Sequence, residues 1–509
     1  MNKKNQAIES ANGDSAPPRV ATGIEGLDDI LQGGFPAHRV YLVEGEPGTG
    51  KTTLALQFLM EGVRLGEAGL YVSLSETKEE LESSARSHGW SLNGISIHEL
   101  LPAGDALKPE SQYTIFHPSE VELSETTSAV LKEVERINPR RIVFDSLSEM
   151  RLLAHDPLRY RRQILALKQY FIGRECTVML LDDKTSAAHD LQLQSIVHGV
   201  LLLEHRAGEY GSERRRLRVI KVRGSRFRGG YHDFNIETGG VVVFPRLVAA
   251  EHRQNAAKGN ATSDVPELDS LLGGGLARGS STLIIGPAGS GKSTLGAQFA
   301  VASAARAERA TIFIFDEVSE TYVGRINGIG SDIQRYLDEG LIRLQQVDPA
   351  EMTPGEFASA VTRSVERDNA RVVVIDSLNG YLNSMPEERF LTIQMHELLT
   401  FLNQRGVVTV LVMAQHGFLG NMASPVDVSY LADTVLMLRY FEAGGEVRRA
   451  VSVIKKRTGA HENTIRELKV TSQGIRVGKP LKQFRGVLTG VPTFGGMNNR
   501  LSEEADEHG

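Results

Sequence analysis

Nine residues constrain this chain more than any others, because they occur twice. Gly45-Glu46-Pro47-Gly48-Thr49-Gly50-Lys51-Thr52-Thr53 returns 241 residues later as Gly286-Pro287-Ala288-Gly289-Ser290-Gly291-Lys292-Ser293-Thr294. The same offset carries Leu27-Asp28 onto Leu268-Asp269, Gly33-Gly34 onto Gly274-Gly275, and Ser75-Glu76 onto Asp316-Glu317. Later landmarks keep their order while the spacing drifts: Asp145-Ser146-Leu147 matches Asp376-Ser377-Leu378, and Lys221-Val222-Arg223 matches Lys455-Lys456-Arg457. Solenoid repeats have periods of roughly 20 to 50 residues. Landmarks in one order at this much longer period mark a duplicated domain.

Composition along the chain sets the boundaries. Residues 1–18 are polar and end in Pro17-Pro18, which reads as a disordered tail. The N-terminal domain runs over 19–247, a polar linker over 248–263, the C-terminal domain over 264–485, and a tail with an acidic end over 486–509. Within the first copy, Val40-Tyr41-Leu42-Val43, Leu70-Tyr71-Val72-Ser73-Leu74, Arg141-Ile142-Val143-Phe144 and Thr177-Val178-Met179-Leu180-Leu181 are apolar runs of strand length separated by helical patterns. Strands alternating with helices predict an α/β fold, with a mostly parallel sheet covered by helices on both faces. After about residue 198 the strand candidates Val200–Leu203, Leu217–Val222, His232–Ile236 and Val241–Phe244 follow one another closely, which predicts an antiparallel extension.

Several function classes drop out. The single cysteine, Cys176, excludes an intramolecular disulfide and fits a reducing, cytoplasmic setting. The longest apolar run, Val407 to Ala414, is too short to span a bilayer, and the polar N-terminus is no secretory signal. With 57 basic against 63 acidic residues, the chain has no bulk electrostatic attraction for nucleic acid.

The repeated loop carries the chemistry. In Gly-x-x-x-x-Gly-Lys-Ser/Thr the glycines let backbone N–H groups converge on phosphate oxygens, and the helix that follows adds its positive end. Gly45, Gly48, Thr49, Gly50, Lys51, Thr52 and Thr53 are therefore expected to bind ATP in the first copy. Gly286, Gly289, Ser290, Gly291, Lys292, Ser293 and Thr294 are expected to do so in the second. Lys51 and Lys292 would meet the β/γ-phosphates, and Thr52 and Ser293 would meet Mg²⁺. Asp145 and Asp376 end apolar strands and are the matching metal-side carboxylates, although a helix N-cap there would also use an aspartate.

Activating a nucleophile needs a further carboxylate at a strand end: Glu76 in the first copy, Asp316 and Glu317 in the second. For Glu76 the alternative is an acid of the following helix's first turn, since Thr77-Lys78-Glu79-Glu80 comes next. Lys221, Arg223, Lys455 and Arg457 lie at the ends of late strands, where they would either complete a neighbouring subunit's ATP site or simply charge a sheet edge. Gln415-His416 would sense the γ-phosphate or be an ordinary strand end. Trp90 and Cys176 are expected only to pack.

Taken together, these features resemble the KaiC family of circadian-clock ATPases. The likeness rests on Gly26-Leu27-Asp28-Asp29-Ile30, Gly33-Gly34-Phe35-Pro36, both glycine loops, Ile375-Asp376-Ser377-Leu378 and Asp433-Thr434-Val435-Leu436-Met437-Leu438. It rests also on Gly445 to Ala450 leading into Ile454-Lys455-Lys456-Arg457, and it spans residues 19–493. The resemblance implies tandem RecA-like domains in a two-tiered homohexamer with ATP between subunits. It implies an N-terminal ring that is a slow ATPase and partner platform, and a C-terminal ring that is an autokinase. The phospho-acceptor pair falls on Ser429 and Tyr430.

Three departures stand out. The family's acceptor pair is Ser-Thr or Ser-Ser, so Tyr430 shifts the expected acceptor to Ser429. The family's paired glutamates become Ser75-Glu76 and Asp316-Glu317. The C-terminal segment keeps Gly490-Val491-Pro492-Thr493 and then diverges, which weakens the inference of the clock activator protein as partner and makes a KaiB-like protein the better expectation by analogy. Two other readings share the same ATP chemistry: an ATPase ring that gates partner binding without kinase activity, and a RecA-like DNA motor, which the lack of a Lys/Arg-rich loop disfavours.

Overall fold

The computed structural model describes residues 18–100, 118–154, 156–184, 191–207, 211–252, 259–383, 391–415, 429–489 and 493–494. The chain divides into two compact units, 1–246 and 247–509. In the first unit the main sheet uses β1 (Val40–Gly45), β2 (Gly69–Ser73), β3 (Ile95–Glu99), β4 (Arg141–Asp145), β5 (Thr177–Asp183), β6 (Gly199–Arg206), β7 (Arg214–Val222), β8 (Tyr231–Glu237) and β9 (Gly240–Phe244). In the second unit it uses β10 (Ser281–Gly286), β11 (Ala310–Ile314), β12 (Ile342–Gln346), β13 (Val372–Asp376), β14 (Val408–Ala414), β15 (Thr434–Ala443), β16 (Glu446–Lys456), β17 (Ile465–Thr471) and β18 (Gly474–Pro480).

The first sheet has the order β3-β2-β4-β5-β1-β6-β7-β8-β9, and the second has β12-β11-β13-β14-β10-β15-β16-β17-β18. Each position in the second order is the first shifted by nine, so the duplication seen in the residues is a duplication of topology. The two sheets confirm the expected pair of mostly parallel, helix-covered domains with antiparallel ends, the tandem RecA-like arrangement. One boundary differs. β6 runs parallel to β1, so the antiparallel extension begins at β7, not at Val200. A short connection does not dictate strand direction here, because the helix Leu191–Ile196 returns the chain to the same edge of the sheet.

The central strands are apolar throughout because both faces are covered. In the first unit Leu54, Phe58, Leu81 and Val243 pack on one face, and Val130, Tyr160, Ile164 and Phe171 on the other. In the second, Leu295, Phe299, Tyr322 and Ile326 face Phe357, Val361, Leu398 and Phe401 across the sheet. Each fully buried side chain of this size contributes about 1.5–3 kcal/mol. Trp90 packs against the first cluster, and Cys176 is buried, its thiol pushed up to about 12 by burial.

Two segments expected to be irregular begin with structure. Ala249–His252 forms a 3-10 turn on the second unit, where Ala249 N–H donates to Glu397 Oε2 at 3.1 Å and His252 meets the Phe401 ring edge-on. Beyond residue 485, Val487 is buried beside Phe441 and Ala450, and Phe484–Arg485 pairs with Thr493–Phe494. An apolar strand face that needs cover holds this segment in place. Linker residues 253–258 and residues 1–17 lie outside the described set.

Candidate functional site

Parallel strands deliver the loops to one edge of each sheet. The first loop leaves β1 at Gly45 and ends in Gly50, which sits at φ 93° before the helix Lys51–Arg64; the second ends in Gly291 at φ 100° before Lys292–Ala305. That left-handed conformation suits glycine and disfavours a β-carbon. Neither helix has a side-chain N-cap. The N–H groups that a capping side chain would take are left for an anion, and the helix dipole favours one there.

Both loop lysines are buried beneath these turns. Lys51 Nζ donates to the carbonyls of Gly45 and Glu46 at 2.9 Å each and pairs with Asp183 Oδ1 at 2.8 Å. Lys292 Nζ donates to the Pro287 carbonyl at 2.7 Å, and burial lowers its pKa.

Next to each lysine a hydroxyl meets a carboxylate. Thr52 Oγ1 donates to Asp145 Oδ2 at 2.8 Å, and the buried Tyr71 hydroxyl donates to the same oxygen. Burial raises the Asp145 pKa against the pull of Tyr71, Thr52 and Lys51. Asp376 is pushed up to about 6 by burial, opposed by the Ser293 hydroxyl and the charges of Arg325 and Lys292. A carboxylate this reluctant to ionise, hydrogen-bonded to a hydroxyl that can also ligate a metal, fits a hard cation, which would restore the charge. Among the described residues there is no group of three or more metal-ligating side chains. The residues therefore fit Mg²⁺ held by one hydroxyl, one carboxylate and phosphate oxygens, its usual arrangement in nucleotide sites.

The activating carboxylates differ between the units. Glu76 stands before the helix Lys78–Ser87: Thr77 is its N-cap and closes a capping box with Glu80, so Glu76 is no first-turn acid. Burial raises the Glu76 pKa, with help from the charges of Asp145 and Glu80. Glu317 is clasped by Arg325 at 2.6 and 3.2 Å, and Arg325 Nη1 also lies 3.4 Å from Thr294 Oγ1. Asp316 accepts the Ser377 hydroxyl.

Arg325 and Arg449 line a cleft of about 390 Å³ with Gly289, Gly291, Lys292 and Ser293, and no motif pointed to either. Glu317 lies before the helix Ser319–Asn327 that carries Arg325, so no helical spacing in the sequence pairs them. Arg449 was visible only as part of the Arg448-Arg449 pair. Asp183 was missed as well, although it ends the strand beside the loop strand. In the second unit the Gln415 N–H donates to the Gly286 carbonyl at 3.0 Å, while its buried Oε1 has no partner among the described residues. His416 lies outside the described residues.

Lys221, Arg223, Lys455 and Arg457 are not at their own unit's loop. Lys221 pairs in register with Val200 at the start of β6, and its amine donates to the Gln194 carbonyl; Arg223 Nη2 donates to the Ser195 carbonyl at 2.6 Å. Lys455 donates to the Ala432 carbonyl at 2.7 Å, and the exposed Arg457 donates its N–H to the Asp433 carbonyl at 2.9 Å. Ser429 and Tyr430 open a 3-10 turn at that same edge, where Ser281 Oγ, at the start of β10, donates to the Leu431 carbonyl at 3.2 Å. Six residues of β10, roughly 17 Å at strand rise, separate this edge from the second loop. Tyr430 is 53% exposed; the Ser429 side chain lies outside the described residues.

Comparison with known proteins follows the same division. A family model described as "ATPase: KaiC" matches residues 20–248 and again 261–482. The chain is 26% identical over 501 residues to the circadian clock protein KaiC3 of Synechocystis sp., covering 96% of this chain and 98% of that one. It is 27% identical over 482 residues to the circadian clock oscillator protein KaiC of Thermostichus vulcanus, covering 93% and 92%. It is also 27% identical to that of Picosynechococcus sp. over 497 residues, covering 96% and 95%.

Proposed function

The chain belongs to the KaiC ATPase family, and from that premise we propose that it is an ATP-hydrolysing homohexameric ring whose second domain is a serine autokinase acting on Ser429. The observation that carries this reading is the separation of groups within the second unit. Ser429, Tyr430, Lys455 and Arg457 share one edge of the sheet, and Lys292, Ser293 and Asp376 lie at the other. A phosphate held on the loop cannot reach a hydroxyl a full strand away in the same subunit. A ring in which one subunit's lower edge faces its neighbour's loop brings the two together, with the two basic side chains stabilising the transferred charge. Lys221 and Arg223 stand at the equivalent edge of the first unit and do the same for hydrolysis there.

Lys51 and Lys292 bind the phosphates. Bound Mg²⁺ would neutralise charge on the phosphate oxygens beside Thr52 with Asp145 and Ser293 with Asp376. Glu76, with its raised pKa, takes the proton of the attacking water in the first domain. In the second, Asp316 or Glu317 takes the proton of the Ser429 hydroxyl. The ring serves as a circadian-type timer or signalling switch, as the names of its relatives suggest, and by analogy with the family it works in the cytoplasm and docks a KaiB-like partner. Among the described residues no helix is long and apolar enough to cross a membrane.

Phosphopeptide and intact-mass spectrometry after hours with Mg·ATP tests the reading. Phosphate is expected on Ser429, absent from Ser429→Ala and Lys292→Ala and restored when those two variants are mixed into one ring. One observation favours a second reading, an ATPase ring that gates a partner without kinase activity: Glu317 is held by Arg325 instead of facing a nucleophile. ATP turnover with no phosphate incorporated would select it.

A further inference from the structure

In the first unit a carboxylate already holds the amine that a phosphate would need. β5 lies between β1 and β4, and its last residue, Asp183, pairs in register with Gly45, where the loop begins. An ammonium has three donors. Lys51 gives two to the Gly45 and Glu46 carbonyls and the third to Asp183 Oδ1 at 2.8 Å. The carboxylate is itself held in place, since Ser148 Oγ lies 3.3 Å from Asp183 Oδ2 and accepts the Asp183 N–H at 3.2 Å. Neighbouring Asp182 pairs with Arg151 at 2.6 Å, which stiffens the same strand end. The charge of Asp183 is also felt at Asp145, whose pKa it helps to raise.

The second unit lacks this device. The register partner of Gly286 is Ala414, and the residue that steadies that strand end is Asn379, which exchanges hydrogen bonds with the Ala414 backbone at 2.8 and 3.2 Å. Among the described residues no carboxylate pairs with Lys292 at that strand end, and Lys292 donates to a loop carbonyl.

We propose that Asp183 sets the nucleotide preference of the first site, acting as an internal anion that the terminal phosphate of ATP must displace from Lys51 and then lie beside. This rests on the reading that the glycine loops hold ATP. A diphosphate sits on the loop N–H groups and brings less charge toward the lysine, so it meets less opposition. The first site therefore discriminates against ATP relative to ADP, and the second, with Ala414, does not. Like charges brought this close in a partly dry cleft act strongly on binding.

Equilibrium binding of ADP and of the β,γ-imido analogue of ATP, with Mg²⁺, tests it on the full chain carrying Lys292→Ala, so that the first site reports alone. Asp183→Asn in that background is expected to tighten the analogue by at least about tenfold while ADP moves by less than about threefold. In the Lys51→Ala background, Ala414→Asp is expected to weaken the analogue relative to ADP at the second site. Retained ADP binding shows that each variant is folded. Equal tightening of both nucleotides, or none, would overturn the proposal while leaving the ATP site intact. If the Lys292→Ala chain with Asp183 in place binds neither nucleotide, the ATP reading of the first loop falls and the proposal falls with it.

Discussion

The two halves of the molecule build one topology and then equip it differently. In the first, the metal-side Asp145 receives two hydroxyls, Thr52 and Tyr71, the loop lysine carries a carboxylate, and Glu76 has no arginine partner among the described residues. In the second, the register equivalent of Tyr71 is Ile312, the lysine meets a carbonyl, and Arg325 holds Glu317. The difference teaches that a conserved strand order transmits position but not charge. The same loop can be tuned for water in one copy and for a hydroxyl in the other by residues at neighbouring strand ends.

Removing the loop lysines should break the comparison most severely. Lys51→Ala and Lys292→Ala are each expected to cut nucleotide turnover at their own unit by roughly a hundredfold or more, with phosphate incorporation lost only in Lys292→Ala. Site-resolved ATPase and phosphorylation assays would check this, and loss of phosphate from both variants would erase the division of labour.

Next in size is a stability difference. Arg141, almost wholly buried, pairs with Glu67 at 2.5 Å and donates to the Ala21 and Phe58 carbonyls at 2.7 and 2.8 Å, where the second unit has Val372 in the same register. Arg141→Ala should destabilise the first unit by about 3–5 kcal/mol and leave the second unchanged, as read by denaturant unfolding with hydrogen exchange resolved to each unit.

Smaller still is the effect of the activating acids. Glu76→Gln should lower hydrolysis by the first site about a hundredfold, and Glu317→Gln should do less to hydrolysis by the second because Arg325 already occupies it. Single-site turnover in the Lys292→Ala and Lys51→Ala backgrounds measures both, and equal losses would remove the contrast.

Acidity should move the contributions of His232 in the first unit and Asp376 in the second in opposite directions, while the raised Asp145 and Glu76 of the first unit act in the same sense as Asp376. Burial lowers His232 to about 4 from 6.5, so the unfolded chain takes up that proton first and the contribution of His232 to the first unit is lost as pH falls through this window. Asp376, raised to about 6 from 3.8, binds its proton first in the folded state. Without metal Asp376 therefore adds stability to the second unit on acidification, and that contribution is lost as pH rises through about 6. Each change is on the order of 3 kcal/mol. Unfolding at pH 7 and pH 5 in chelator should show the divergence, with His232→Gln removing one arm and Asp376→Asn the other.

Much of the site was legible because its groups are close in sequence or bound to strand ends. The loops, Thr52, Asp145, Ser293 and Asp376 follow from one spacing and one apolar run each. Asp183, Arg325 and Arg449 were not legible in the same way. Each is brought in by a different element: a neighbouring strand, the next helix and the antiparallel extension. Ordinary charged residues on such elements carry no spacing of their own.

The sequence alone determined that there are two domains, that each has a mostly parallel sheet with a glycine-rich loop, and which lysine, hydroxyl and aspartate gather beside that loop. Local backbone chemistry and apolar periodicity suffice for that. Only the tertiary structure decided that Lys51 has a carboxylate partner while Lys292 has none among the described residues, that Glu317 is clasped, and that Lys455 and Tyr430 stand a strand's length from their own loop. Those facts depend on register across the sheet, where pairing β1 with β5 at Gly45 and Asp183 brings together residues 138 positions apart.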